Sequence, residues 1–230
     1  MISTNKNFRF EKKYLLDRDS AFLLKQRLSY ILQPDHSSPG GKYRISSLYF
    51  DDQYNTSFYE KQNGVLRRDK FRVRFYNGRM DTIRLECKHK HDEMISKDSA
   101  LITHEQYQMM LHGTYRFMRN RSASVFEKFY TAHLLKHMRP AIMIDYDRQA
   151  FIHQTGNVRI TFDSNLSASM PMASHSFSIL PYKNVVLEIK YDHFIPSFIG
   201  ALLTSAPFTQ QLPISKFYMG KLVLQGKYYT

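Results

Sequence analysis

The chain reads as an α+β protein in which antiparallel strands form a closed β-barrel with helices packed outside it, and three observations lead there. First, five segments alternate charged with apolar residues. These are Phe8-Arg9-Phe10-Glu11-Lys12-Lys13, Phe71-Arg72-Val73-Arg74-Phe75, Leu85-Glu86-Cys87-Lys88, Val158-Arg159-Ile160-Thr161-Phe162-Asp163 and Val185-Val186-Leu187-Glu188-Ile189-Lys190. A strand sends successive side chains to opposite faces, so each segment has one oily and one charged face. Second, the charged faces are rich in Arg and Lys with a few Glu, and burying them in a sandwich core would cost on the order of several kcal/mol per unpaired ion. A barrel whose charged faces line a solvent-filled tunnel, and whose oily faces meet helices outside, satisfies both surfaces. Third, the period changes from strand to helix between about 103 and 138. Periodicity alone also allows a conventional sheet with its charged faces in water.

The elements follow in order. Residues 8 to 16 read as the first strand, and Asp17 or Asp19 caps a helix with apolar positions Phe22, Leu23, Leu28, Ile31 and Leu32. A Ser-, Pro- and Gly-rich loop spans 34 to 41, a strand runs from Tyr43 to Phe50, and Asp51-Asp52 with Asn55 marks a turn before a short helical or irregular piece. Strands at 69 to 76 and 82 to 90 flank Asn77-Gly78, a hairpin signal whose loop Arg79 to Asp81 lengthens beyond two residues. Thr103 with Gln106 resembles a capping box, and helical spacing covers 104 to 112 and 122 to 138, with Val125, Phe129, Leu134, Leu135 and Met138 apolar. Pro140 ends the helical run. Strands return at 141 to 152, 157 to 163 and 184 to 191, separated by a polar stretch from Ser164 to Pro181 that reads as an exposed connection. Pro196 precedes a short apolar helix, and 216 to 224 is a last strand or helical cap. One domain over 1 to 230, with a helical insertion at about 103 to 138, accounts for the whole pattern.

With 230 residues and 43% hydrophobic content the chain can bury a real core. A net charge of +13 calls for an anionic partner: nucleic acid, a phosphorylated small molecule or an acidic membrane surface. The single cysteine, Cys87, lies on the apolar face of its strand, so a disulfide framework is excluded and a buried small hydrophobe is expected rather than a nucleophile. No apolar stretch reaches the roughly 18 residues that cross a bilayer, and Met1-Ile2-Ser3-Thr4-Asn5-Lys6 lacks the apolar core of a signal peptide. The expected compartment is the cytoplasm.

Eight pieces in this order resemble a known family: Phe8-Arg9-Phe10-Glu11-Lys12-Lys13-Tyr14, Ser46-Ser47-Leu48-Tyr49-Phe50-Asp51, Lys70-Phe71-Arg72-Val73-Arg74-Phe75-Tyr76, Leu85-Glu86-Cys87-Lys88, Tyr146-Asp147-Arg148, Arg159-Ile160-Thr161-Phe162-Asp163, Leu187-Glu188-Ile189-Lys190 and Ser215-Lys216-Phe217. No piece is specific alone, but their order and spacing resemble the VTC-type polyphosphate polymerase domain of the triphosphate tunnel metalloenzyme superfamily. The resemblance implies the triphosphate tunnel fold, with Lys13, Arg72, Arg74, Lys88, Arg148, Arg159 and Lys216 lining the tunnel and holding phosphates. It implies that Lys97 reaches in from a loop after the fourth strand, and that Tyr146, Ser215 and Lys190 add contacts to a nucleotide or chain. Glu188 matches the family's metal-binding glutamate, while Glu11 and Glu86 orient the neighbouring lysines or hold the metal through water. The implied cofactor is Mn2+ or Mg2+, which suits oxygen ligands.

The residues themselves leave plainer readings open. Arg72 and Arg74 could cover a solvated face, Glu188 could simply pair with Lys190, and Lys90 offers an alternative to Lys97. His89, His91 and His193 lack a zinc-ligand spacing and read as solvated or phosphate-facing groups. The resemblance implies a polymerase that uses ATP and polyphosphate; the alternatives are a tunnel-fold triphosphatase or polyphosphatase, or a noncatalytic polyphosphate binder. Nucleic acid is not expected, since its recognition uses an exposed basic face. By analogy, regulation and delivery of product fall to other proteins, with a membrane-protein partner placing the chain peripherally at a membrane.

Overall fold

The structure, a computed structural model, describes residues 8–35, 41–92, 94–204 and 211–227. The loop expected over 34 to 41 falls largely outside them. The chain opens with β1 (Arg9–Asp17) and α1 (Arg18–Ser29), followed by the two-residue β2 (Gln33–Pro34), β3 (Lys42–Asp51) and α2 (Thr56–Gln62). Next come β4 (Arg67–Tyr76), β5 (Arg79–His91), β6 (Met94–Ile102), α3 (His104–Leu111) and α4 (Ser124–Lys136). The second half holds β7 (Arg139–His153), β8 (Val158–Ser169), β9 (Phe177–Ser178), β10 (Asn184–Tyr191), α5 (Ser197–Thr204) and α6 (Lys216–Leu224).

All pairings are antiparallel, and they run in a ring from β7 through β3, β4, β5, β6, β1, β10 and β8 back to β7. β2 and β9 extend the edges of β7 and β8. The seam between β1 and β6 is the shortest, with only Arg9 opposite Ile95 and Phe10 opposite Met94. A ring leaves few open strand edges, which is how an all-antiparallel sheet of this size avoids edge pairing.

The oily faces are sheathed from outside. Phe71, Val73, Phe75, Leu85 and Cys87 pack under α3 and α4 through Tyr107, Met110, Val125, Phe126 and Phe129. On the other side Ile160, Phe162, Leu187 and Ile189 meet Ala21, Leu24 and Leu28 of α1 and Ile199 and Leu203 of α5. Asp17 caps α1 by accepting from the Ser20 amide, and the Thr103–Gln106 capping box starts α3 as expected.

The structure corrects several local readings. Phe22, Leu23, Leu134 and Leu135 are exposed, because the buried stripes run through Ala21, Leu24 and Leu28 in α1 and Val125, Phe126 and Phe129 in α4. The hairpin loop is the two residues Asn77 and Gly78, both at positive φ, and β5 starts at Arg79 with a register shift that absorbs the extra residues. β6 stands where a loop was expected. The stretch after Asp163 continues as strand to Ser169 and pairs with β9, since bulge formation at Asp145/Asp147 lets β8 follow β7 further. The last element is the helix α6, capped by Ser215.

Candidate functional site

Strand alternation sets the second face. Arg68, Lys70, Arg72 and Arg74 of β4 alternate with the outward Phe71, Val73 and Phe75, and the same parity puts Glu86 and Lys88 of β5, Glu11 and Lys13 of β1, and Glu188 and Lys190 of β10 on the side away from the outer helices. Contacts across the ring show that these faces converge. Lys88 Nζ of β5 reaches Glu11 of β1 at 2.9 and 3.0 Å past β6, and Arg74 of β4 donates to the Tyr146 hydroxyl of β7 at 3.1 Å past β3.

Three groups make up the charged interior. In the first, Lys13 bridges Glu11 at 2.8 Å and Glu188 at 3.4 Å, while Lys190 bridges Glu188 at 2.7 Å and Glu11 at 3.4 Å. Lys13 also donates to the Ile214 carbonyl at 3.2 Å. In the second, Glu86 receives Arg72 at 2.6 Å and Lys97 at 2.6 Å, and Arg72 donates to the Tyr49 hydroxyl at 3.2 Å. In the third, Asp163 is gripped by both arms of Arg148 at 2.6 and 2.7 Å and by Lys216 at 2.6 Å. Tyr146 lies beneath this group, with Arg148 and Lys216 over its ring.

Every sequence-predicted residue is therefore found on or beside one interior face, with three adjustments. Lys97 enters from β6, directly opposite Lys88, and not from a loop. Ser215 caps α6 and lies 3.4 Å from Lys70 Nζ. Arg159 is held at the rim by Asp35 at 2.5 Å and the Tyr43 hydroxyl at 3.0 Å. His89 faces the outer side, buried between Asp69 and Asp98, so it is neither solvated nor phosphate-facing.

Sequence reasoning missed Lys70, Asp163, Thr161, Ser47, Tyr49, Tyr43 and Asp35 as interior groups. Lys70 shares the alternation of Arg72 and Arg74, and Thr161 and Asp163 that of Arg159, so the period held the signal; Asp35 carried none. Thr161 is fully buried, and its hydroxyl has no hydrogen-bond partner among the described residues.

The electrostatics are lopsided toward cations. Burial and then Glu188 push the Glu11 carboxyl up, but Lys13, Lys88 and Lys190 outweigh them and hold it well below the usual carboxylate range. Burial likewise opposes ionisation of Glu86, Asp163 and Glu188, and the facing Arg and Lys groups overcome it in each case. Lys88 goes the other way: burial foremost, with repulsion from Lys13 and Lys190, pushes it down to about 7 despite Glu11. Lys70 is also lowered, first by burial and then by Arg68, Lys88 and Lys61. Each of these carboxylates has two or more positive partners, and the surplus lysines repel one another.

Not all of the interior is charged. Tyr43, Ile45, Tyr49, Ile142, Ile144, Leu166, Ala168 and Val186 share the inward parity, and α6 fills the space among them with Phe217 and Met219. Gly220 sits where a Cβ would fall 2.5 Å from Ile144 Cδ1 and 2.9 Å from Ile142 Cδ1.

A ring of antiparallel strands, sheathed by helices and lined inside by Lys and Arg around embedded carboxylates, defines a protein of the triphosphate tunnel class. The VTC domain matches residues 8–225, and the chain belongs to that family. Among solved structures, a candidate adenylate cyclase from Bacillus halodurans has the same fold, at 12% identity and a TM-score of 0.55, covering 92% of this chain and 96% of that one. A Pyrococcus horikoshii OT3 protein aligns at 12% identity over 95% of this chain and 99% of its own, with a TM-score of 0.49. The Mimivirus capping enzyme triphosphatase aligns at 12% identity over 88% and 89%, with a TM-score of 0.42. No curated protein sequence matches the chain. Among the described residues, no helix is long and apolar enough to cross a membrane.

Proposed function

We propose that the chain is a metal-dependent polyphosphate polymerase, in which the ring of strands acts as a closed barrel and its charged interior as the reaction tunnel. The observation that carries this reading is the surplus of buried cations around the carboxylates: Lys13, Lys88 and Lys190 share Glu11 and Glu188, and burial foremost, with repulsion from Lys13 and Lys190, pushes Lys88 down to about 7. A linear polyphosphate supplies that charge along its whole length. VTC family membership over 8–225 supports the same assignment.

The donor set fits a hard divalent ion. Glu11 and Glu188 are ionised, buried oxygen donors joined through Lys13 and Lys190, and Mg2+ or Mn2+ is commonly held by one or two carboxylates with substrate phosphates and water. Glu86 is engaged apart from them by Arg72 and Lys97, and the three glutamates do not gather within ligand reach of one another. When bound, the ion neutralises charge on the phosphate oxygens of the nucleotide.

The chain's own groups do the positioning. Arg74, whose partners are the neutral hydroxyls of Ser47 and Tyr146, offers its guanidinium to nonbridging oxygens. Arg72 and Arg148 hold Glu86 and Asp163 and add positive charge beside it, while Lys13, Lys88, Lys190 and Lys216 act as point charges along the chain. A terminal oxygen of polyphosphate attacks the γ-phosphorus of ATP, the bond to the β-phosphate oxygen breaks, and ADP leaves with that electron pair. The acceptor oxygen is already ionised at neutral pH, so no proton has to be removed. This favours polymer growth over hydrolysis here, because Glu11, Glu86, Asp163 and Glu188 are all held ionised by cations and are poor bases toward water.

Purified protein given ATP and Mn2+ is expected to release ADP and build long polyphosphate, resolved on a gel. Orthophosphate as the sole product would replace this reading with a hydrolase. Tight polyphosphate binding without turnover of any triphosphate would replace it with a binder.

A further inference from the structure

The outer face of the β4–β5–β6 sheet carries a second cluster that the tunnel chemistry does not use. Asp69 of β4 stands directly opposite His89 of β5, and Cys87, two residues earlier on β5, stands opposite Asp98 of β6. Asp69 Oδ1 lies 2.6 Å from His89 Nδ1, and Cys87 Sγ lies 3.8 Å from the same nitrogen. Carboxylate, thiol and imidazole donors thus fall within 4.8 Å of one another. The far side of the imidazole is fixed: His89 Nε2 is 3.0 Å from Asp98 Oδ2, which in turn is held by Lys128 of α4, whose Nζ is also 3.5 Å from Nε2.

We propose that Asp69, Cys87 and His89 form a zinc site on the outer wall, separate from the tunnel. The donor chemistry chooses the ion, since a thiolate and an imidazole with one carboxylate suit Zn2+, whereas the all-oxygen tunnel carboxylates suit Mg2+ or Mn2+. The Asp98–His89 contact is the orienting one that metal-bound histidines generally have: Nε2–H donates to the Asp98 carboxylate, which leaves the Nδ1 lone pair turned toward Asp69 and Cys87. Binding releases the Cys87 thiol proton, and any proton on His89 Nδ1, to solvent. The imidazole is only 5% exposed while the Asp69 side chain is 52% exposed, so the ion enters from the Asp69 side and water completes its coordination there. Two strands supply the ligands, Asp69 from β4 and Cys87 with His89 from β5, and Asp98 of β6 orients the imidazole, so only the Cys87–His89 pair is visible along the sequence. Glu86 and Lys88 flank Cys87 on the same strand and face the tunnel, so the site stiffens the wall that presents them.

The test is a titration of the metal-free full chain with Zn2+ in competition with a chromophoric chelator, with Co2+ used in parallel for its spectrum. The expected result is one Zn2+ per chain and a near-ultraviolet thiolate-to-cobalt band that vanishes in Cys87→Ser. Asp69→Asn, at a side chain that is 52% exposed, should weaken Zn2+ by about tenfold or more, at least what the loss of an orienting partner of a ligand costs. Binding that survives both substitutions unchanged, binding lost only in Glu188→Gln, or no stoichiometric Zn2+ at all would overturn the proposal.

Discussion

Two regions of the same interior solve the problem of an enclosed space in opposite ways. Toward the Ile142–Ile144 part of β7 and the Leu166–Ala168 part of β8 the inward positions are apolar, and α6 packs Phe217 and Met219 among them. Around β1, β5 and β10 the inward positions include Glu11, Lys13, Lys88, Glu188 and Lys190, whose lysines outnumber their carboxylate partners. The filled region fixes the shape, and the charged region holds the unbalanced potential. Lys216 and Ser215 mark the boundary, since the first residue of the filling helix is also the lysine on Asp163.

The strongest way to break this contrast is in the charged region. Glu188→Gln should lower Mn2+-dependent turnover on the order of a thousandfold, matching the several kcal/mol that a bound ion supplies, while polyphosphate binding by the remaining lysines persists. Equal turnover at saturating Mn2+ would remove Glu188 from the metal. Next in size, Arg72→Ala or Arg74→Ala should cost about a hundredfold to a thousandfold in kcat, as lost electrostatic donors do. A distant surface change such as Lys227→Ala serves as the control and should change little.

In the filled region the expected loss is of stability. Gly220→Val places methyl groups against Ile142, Ile144 and Ala168, and overpacking of this kind costs about 1–3 kcal/mol. Urea unfolding measures it. If α6 only fills space, turnover of the folded variant stays near normal; if α6 also sets Lys216 against Asp163, turnover falls with it.

The contrast also explains which parts of the molecule were legible. Arg72, Arg74, Glu86 and Lys88 announced their face because a strand alternates with a period of two and their neighbours Phe71, Val73, Leu85 and Cys87 are apolar. The filled region hid itself: Ile142 and Ile144 read as ordinary core, and α6 after Ser215 read equally as strand or helix, because nothing local says that a helix enters a ring. β6 was missed since Ser96, Asp98 and Ser99 lack the bulky apolar alternation of a strand and gain their conformation from pairing with β5. His89 was misread because its partners lie across strands. Phe22 and Leu134 were misassigned because apolar residues beside a helical stripe look the same as those within it.

A smaller effect concerns pH. Lys88 falls from 10.5 in the unfolded chain to about 7 in the fold, so the unfolded chain binds more protons between those values. The cost of burying its charge is present in full below pH 7, and stability contributed by this group rises from pH 7 toward 10.5. Ligand binding runs oppositely: a polyanion draws the proton back onto Lys88, so polyphosphate affinity should fall as pH rises through neutrality. Calorimetry in buffers of different ionisation enthalpy should register proton uptake on binding near pH 7.5, and Lys88→Gln should abolish it. An unchanged proton uptake in that variant would assign the titration elsewhere.

The smallest expected effect tests whether the charged region is complete without its ligand. Thr161 lies opposite Glu188 in the β8–β10 ladder, buried, with its hydroxyl unpartnered among the described residues. A buried hydroxyl left without a partner costs stability, so the group is expected to meet a phosphate oxygen or a metal-bound water when substrate is present. Thr161→Val keeps the shape and removes the hydroxyl. Its stability should stay level or rise slightly in urea, because no hydrogen bond within the protein is lost. Turnover should fall by about threefold to tenfold, the worth of one neutral hydrogen bond of about 0.5–1.5 kcal/mol. A stability loss of the same size with turnover intact would mean that the hydroxyl serves the fold, and the unbalanced interior would then end at Glu188 and Asp163.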